Sequence, residues 1–133
     1  MLTREDIESF IERLAPEGVH AKEVEKGLWL LTTTTDAPEM VVHYNPPVVV
    51  LRVKVMELTG EPDADKAALC RHLLELNATD LVHGSYGIDG SNVVLSDALE
   101  LENLDFTEFQ ASYDSMTLAL ASHLATLAPF RQA

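Results

Sequence analysis

Apolar side chains recur along this chain at two different periods, and the changes from one to the other outline its elements. Near the N-terminus, Ile7, Phe10, Ile11 and Leu14 repeat at the three- and four-residue spacing of one helical face. Thr3 and Asp6 stand ahead of them as a helix start, and Pro16-Glu17-Gly18 marks the end. From Val19 to Leu58 the pattern shortens to strand-like runs, Val19–Val24, Leu28–Thr33, Met40–Tyr44 and Val48–Leu58. Lys26-Gly27, Asp36-Ala37-Pro38 and Asn45-Pro46-Pro47 separate them, which predicts a meander of antiparallel strands. In the last run Val49, Leu51, Val53 and Val55 share one face while Arg52 and Lys54 take the other, so the sheet covers a core on one side. Trp29, Leu31 and Val41 are read on the face opposite Leu28, Leu30, Met40 and Val42. Part of the second face is therefore also apolar and suited to cover by another chain.

A turn over Thr59–Asp63 leads into a helix from Ala64 to Leu76, with Leu69, Leu73 and Leu76 on its core stripe and Asn77 suited to the left-handed position after it. Leu81–Ile88 and Asn92–Leu95 flank Asp89-Gly90, a hairpin signal. A final helix starts at Asp105 with Glu108 completing a capping box. Its stripe is Phe106, Phe109, Tyr113, Met116, Leu120, Leu124 and Leu127, and Pro129 follows its end. On its other side Ala111, Ser115, Leu118, Ala119, Ser122 and Ala125 are small or apolar, and Asp114 is the only charge after Glu108. That side packs either within the domain or against another subunit. The expected fold is α+β, an antiparallel meander plus a hairpin flanked by three helices, in the order α-β-β-β-β-α-β-β-α. Residues 1–133 are read as a single domain, long enough to bury a core without disulfides or metal.

Composition narrows the partners. With 9 basic and 22 acidic residues the net charge is −13, which repels phosphate backbones and anionic lipid, so neither nucleic acid nor membrane is expected as a partner. From His72 onward nine acids face one basic residue, Arg131, a balance that suits either a solvated surface or a basic partner segment. The longest apolar run, Pro46–Leu51, is far short of the roughly 18–20 residues of a bilayer span. Glu5 and Asp6 stand where a signal peptide needs basic residues, so a cytoplasmic address is expected. The lone Cys70 falls within a helix and reads as a small buried hydrophobe.

Chemistry-bearing motifs are missing. His20, His43, His72, His83 and His123 are scattered one per element without metal-ligand spacing, so no metal is expected. Gly84, Gly87 and Gly90 lie in or beside the hairpin and do not join a strand to a helix, so they make no phosphate loop and no cofactor is expected. No nucleophile-elbow pattern occurs, and a non-enzymatic protein is the reading these absences leave. A small enzyme or ligand carrier with an acidic cleft is the competing class, recognisable by a deep polar pocket with convergent carboxylates or histidines.

The order of elements resembles that of the class I type III secretion chaperones (the Tir chaperone group) and the related YbjN-like proteins. Leu73-Leu74-Glu75-Leu76-Asn77 is similar to that family's Leu-Leu-x-x-Asn helix ending. Gly84-Ser85-Tyr86-Gly87-Ile88-Asp89-Gly90 is similar to its strand entering a tight turn. Val93-Val94-Leu95 with Leu101, Leu104-Asp105 and Phe109 resembles its strand, loop and last helix. The resemblance implies a homodimer without catalytic residues that binds an extended segment of a partner protein along apolar surface and sheet edges, with Trp29, Leu31 and Val41 as candidate contacts. Pro46-Pro47 and the Val48–Leu58 run look more like the YbjN-like branch, which implies a regulatory or scaffold role as the alternative.

Overall fold

The computed structural model describes residues 1–33, 38–58, 60 and 63–130. The Asp36-Ala37 part of one expected turn, most of the Thr59–Asp63 turn and Arg131 lie outside the described residues. The elements run α1 (Arg4–Glu12), β1 (His20–Glu25), β2 (Leu28–Thr32), β3 (Met40–Asn45), β4 (Val48–Glu57), α2 (Ala64–Thr79), β5 (Ser85–Asp89), β6 (Asn92–Glu100) and α3 (Phe106–Leu127). Short 3-10 turns at Ala15–Glu17 and Ala128–Phe130 follow α1 and α3.

Capping sets the helix starts. At α1 the Thr3 hydroxyl accepts from the Asp6 N–H while the Asp6 carboxylate accepts from the Thr3 N–H, a complete capping box. Asp63 and Asp105 likewise accept from the N–H three residues on, at Lys66 and Glu108, and open α2 and α3.

All six strands form one antiparallel sheet in the order β1-β2-β3-β4-β6-β5. The first four strands are the expected meander. β6 continues past Leu95 to Glu100 and inserts beside β4, which leaves β1 and β5 at the edges. One face carries Trp29, Leu31, Met40, Val42, Val49, Leu51, Val53, Val93 and Leu95 into a single core with Ile7 and Ile11 of α1, Leu69, Leu73 and Leu76 of α2, and Phe109, Met116 and Leu127 of α3. The clean alternation of β4 stops at a bulge between Lys54 and Met56, where Val55 and Met56 are both buried.

Four local expectations are corrected. Register pairs Leu30 with Val41 and Trp29 with Val42, so Val41 shares a face with Leu28 and Leu30, and not with Trp29 and Leu31; Met40 and Val42 belong to the core face. α2 runs through Asn77 to Thr79, because the Asn77 amide is engaged by a neighbouring strand instead of ending the helix. Asp89 pairs with Asn92, so the hairpin loop is Gly90-Ser91 with Gly90 at φ +63°, one residue later than Asp89-Gly90, and the strand before it begins only at Ser85. In α3, His123 and Ser112 lie in the buried stripe, Phe106 is half-buried and Leu124 is 38% exposed. Both 123 and 124 are compatible with a 3.6-residue period between Leu120 and Leu127, and polar partners for His123 decide between them.

Candidate protein-interaction surfaces

Alternation on β2, β3 and β4 sends every second side chain to the face away from the core, and no helix residue packs there into the core cluster. Leu28, Leu30, Val41, Val48 and Val50 sit on this outer face, each half-buried. One cross-strand row reads Lys22, Leu30, Val41, Arg52, and the next reads Leu28, His43, Val50, Ala98. The result is an apolar stripe over three strands with a cation at each margin of one row. Arg52 holds Asp89 at 2.9 Å and Lys54 holds Glu57 at 2.7 Å, both as surface pairs. The Lys54 ammonium keeps the Glu57 carboxyl below the usual carboxylate range.

The two sheet edges are treated differently. On β1 all six residues are exposed, Lys22, Glu23 and Glu25 among them, and a register shift between Glu23 and Glu25 breaks the ladder, so charge and irregularity discourage pairing with another strand. Glu23 is anchored from the core side by Arg4, whose guanidinium also lies 5.4 Å from the Trp29 ring centroid. Arg4 first, and the Gly27 N–H next, hold the Glu23 carboxyl below its ordinary range.

At β5 the edge is capped by a side chain. The Tyr86 N–H donates to Asn77 Oδ1 at 2.7 Å and Asn77 Nδ2 donates to the Tyr86 carbonyl at 3.1 Å, as a neighbouring strand would. Backbone orientation repeats every two residues, so Ile88 presents its N–H and carbonyl to the same edge beyond the reach of Asn77. Beside it a groove of about 240 Å³ is lined by Cys70, Leu73, Leu74, Tyr86, Gly87 and Ile88, of which Leu74 is 67% and Ile88 49% exposed.

Two polar clusters superficially resemble catalytic constellations. The Tyr86 hydroxyl lies 2.7 Å from His123 Nδ1, and His123 Nε2 lies 3.2 Å from Asp80 Oδ2. The carboxylate can only accept, so Nε2 carries the hydrogen and Nδ1 accepts from the tyrosine. Burial first, and the Asp80 charge second, push the Tyr86 hydroxyl up to about 12, the opposite of an activated nucleophile. In the second cluster Ser112 Oγ donates straight to Asp97 Oδ2 at 2.7 Å. His83 Nδ1 stands 3.8 Å from that same oxygen, so no imidazole is placed to take the serine proton, and Ser112 is fully buried. Among the described residues no group of three His, Cys, Asp or Glu side chains is placed to hold a metal ion, and no helix is long and apolar enough to cross a membrane.

The three candidate contacts do not form one patch. Trp29 and Leu31 are each 2% exposed beneath the helices, whereas Val41 lies on the outer face with Leu28 and Leu30. The residues that complete the outer stripe, Val48 and Val50, were legible in the alternation of β4 opposite Val49 and Leu51, but pairing to His43 and Asn45 had to bring them beside Val41. Asn77 was singled out for its backbone; its partner nine residues on gives no sequence signal.

The fold is thus an antiparallel sheet with helices packed on one face and half-buried apolar side chains on the other. Residues 2–133 match the CesT_Tir_1 family model, and the chain belongs to that family, the type III secretion chaperones of the Tir chaperone group. A chain of the heterodimeric ExoU–SpcU complex from the type III secretion system of Pseudomonas aeruginosa is similar, with a TM-score of 0.67 at 16% identity over 90% of this chain and 98% of that one. SycH, a Yersinia pestis type III secretion chaperone solved with a stable fragment of YscM2, gives 0.58 at 18% identity over 86% and 96%. YbjN from E. coli gives 0.62 at 11% identity over 95% and 96%. At these identities the likeness is one of fold. No curated protein sequence matches the chain.

Proposed function

We propose that this protein is a non-enzymatic, chaperone-like binding protein that acts in the cytoplasm as a homodimer and holds a polypeptide segment of a partner protein. The observation that carries the reading is the half-buried apolar stripe Leu28, Leu30, Val41, Val48 and Val50 on the sheet face opposite the helix-packed core. Family membership supports it, as do structural neighbours solved together with another protein. Val41 is the contact residue, while Trp29 and Leu31 brace the sheet from behind. For the self-association surface the groove between α2 and β5 is the best fit, since Leu74 and Ile88 are exposed apolar side chains next to open backbone groups. The likeness to YbjN over 95% of the chain favours a second reading, a regulatory or scaffold protein that docks a folded component.

Tagged wild-type protein and Val41→Asp, used as baits in lysate of the native host, separate these readings. One stoichiometric partner that is lost in the variant, and whose bound segment is unprotected from hydrogen exchange when free, is the chaperone result. A partner docked through an already protected domain favours the regulator. A partner retained by Val41→Asp, or none at all, refutes binding through this face. Light scattering should give twice 14.6 kDa for wild type, and 14.6 kDa for Leu74→Glu; a wild-type monomer at micromolar concentration refutes the dimer.

A further inference from the structure

We infer that the Asn77 side chain is an autoinhibitory guard that keeps β5 from pairing, strand to strand, with β5 of a second copy of this chain. This rests on the self-association reading above and deepens it: the two subunits meet through side chains of the α2–β5 groove, and their sheets stay separate. The two edges of the sheet are guarded by different means. β1 carries Lys22, Glu23 and Glu25 and a break in its ladder, whereas β5 carries no charge before Asp89, no proline and no register shift. An edge of that kind is a template for another strand. The Asn77 amide occupies it, accepting from the Tyr86 N–H and donating to the Tyr86 carbonyl.

A second copy is the occupant that this edge fits, because β5 is self-complementary. The backbone groups of Tyr86 and Ile88 face outward. A two-fold axis at Gly87 sets Tyr86 opposite Ile88 of the second copy, Gly87 opposite Gly87, and Ser85 opposite Asp89, with no like charges in register. Gly87 then forms the non-hydrogen-bonded pair, the closer of the two kinds at about 4.5 Å between Cα atoms. The chain's own packing does not call for glycine there: a Cβ at Gly87 would meet nothing within 4 Å, and its φ is not positive. A glycine inside a strand marks a place where another backbone comes close. In this register Tyr86 and Ile88 exchange both of their bonds at each of the two symmetric pairs, and every one of those bonds uses a Tyr86 group. The Asn77 amides already hold all of these groups, so pairing in wild type breaks as many hydrogen bonds as it makes and leaves both amides unpaired. Without Asn77 the same pairing is all gain.

Sedimentation and amide hydrogen exchange of the full-length protein over a dilution series test this. In wild type the Ile88 amide is expected to exchange at the same rate in dilute and concentrated solution, since no strand covers it. Protection that grows with concentration would mean that the sheets are already joined, and overturns the inference without any variant. Asn77→Ala is expected to tighten the dimer by about tenfold or more and to protect the Ile88 amide at high concentration; the Tyr86 amide, freed in the dilute variant, regains protection with it. Asn77→Ser leaves a polar group on α2 too short to reach both Tyr86 groups, and it has to show the same gain where Asn77→Ala does not fold. Ser85→Asp sets a carboxylate opposite Asp89 of the second copy, on an exposed side chain that alternates with the buried Tyr86. Combined with Asn77→Ala it is expected to take back the gain, and alone to leave the wild-type dimer as it is. Unchanged dimer affinity without Asn77, or a gain that survives Ser85→Asp, overturns the inference. If wild type is a monomer, the dimer reading fails while the guard is judged separately: Asn77→Ala must then turn a monomer into a dimer with a protected Ile88 amide.

Discussion

Tyr86→Phe isolates the buried relay that ties β5 to α3 and α2. The substitution keeps the ring, which is 5% exposed in the core, and removes only the hydroxyl. His123, itself 4% exposed, then keeps Nε2 on Asp80 but has no donor for Nδ1. A buried acceptor stripped of its partner costs about 1–3 kcal/mol, and the lower half of that range applies if water reaches Nδ1 through the gap. The same group also makes stability depend on pH. The folded protein raises the Tyr86 hydroxyl from 10.0 to about 12, so the native state holds this proton where the unfolded chain has released it. The contribution is fully present below about pH 10 and is lost as pH rises through about 12; two units correspond to about 2–3 kcal/mol. Urea unfolding of wild type and variant at pH 7 and in steps between 9 and 12 reads both effects. The variant should start lower and fall less steeply with alkali, keeping a residual slope because Tyr113 is also raised, by burial first and then by Glu17 and Asp114. Equal stability at pH 7 together with an unchanged alkaline slope would refute the relay.

Two more substitutions probe the packing. Leu120→Asp, at 4% exposure on the α3 stripe, should unfold the protein at an expected cost of about 4 kcal/mol or more, whereas Leu124→Asp should shift a thermal melt little; similar losses for both would mean the stripe is placed on the wrong side. Asn77→Ala removes both side-chain bonds to the Tyr86 backbone, so that amide should exchange with solvent much faster and stability should fall by about 1–3 kcal/mol; unaltered protection at Tyr86 would show that the edge is closed by something else.

Periodicity carried most of the fold because local rules suffice for it. Thr3, Asp63 and Asp105 start helices through bonds to backbone three residues away, and the meander follows from short turns between alternating runs. What pairing decides was not legible. Leu28–Thr32 and Met40–Asn45 are apolar on both faces, so alternation alone does not say which half meets the helices, and grouping Val41 with Trp29 and Leu31 was a slip of one residue that register against β2 corrects. The extension of β6 to Glu100 likewise depends on β4 lying beside it, since Ser96, Asp97 and Ala98 have little strand preference of their own. His123 in the core is intelligible only with Tyr86 and Asp80 in place, and these come from two other elements.

The insertion of β6 beside β4 bears on the chain while it is still being synthesised. α1 and β1–β4 emerge first and can pair by local hairpins, but the outer edge of β4, rich in Val48, Val49, Val50, Leu51 and Val53, has no neighbour until residues 92–100 have been made. During that interval the longest strand in the protein is an open edge on a growing chain, with Arg52 and Lys54 as the charges that break its apolar run. Ribosome pausing between α2 and β6 would prolong that exposure. The most exposed stage of this chain's folding thus falls before its sheet closes, when the β4 edge still awaits β6.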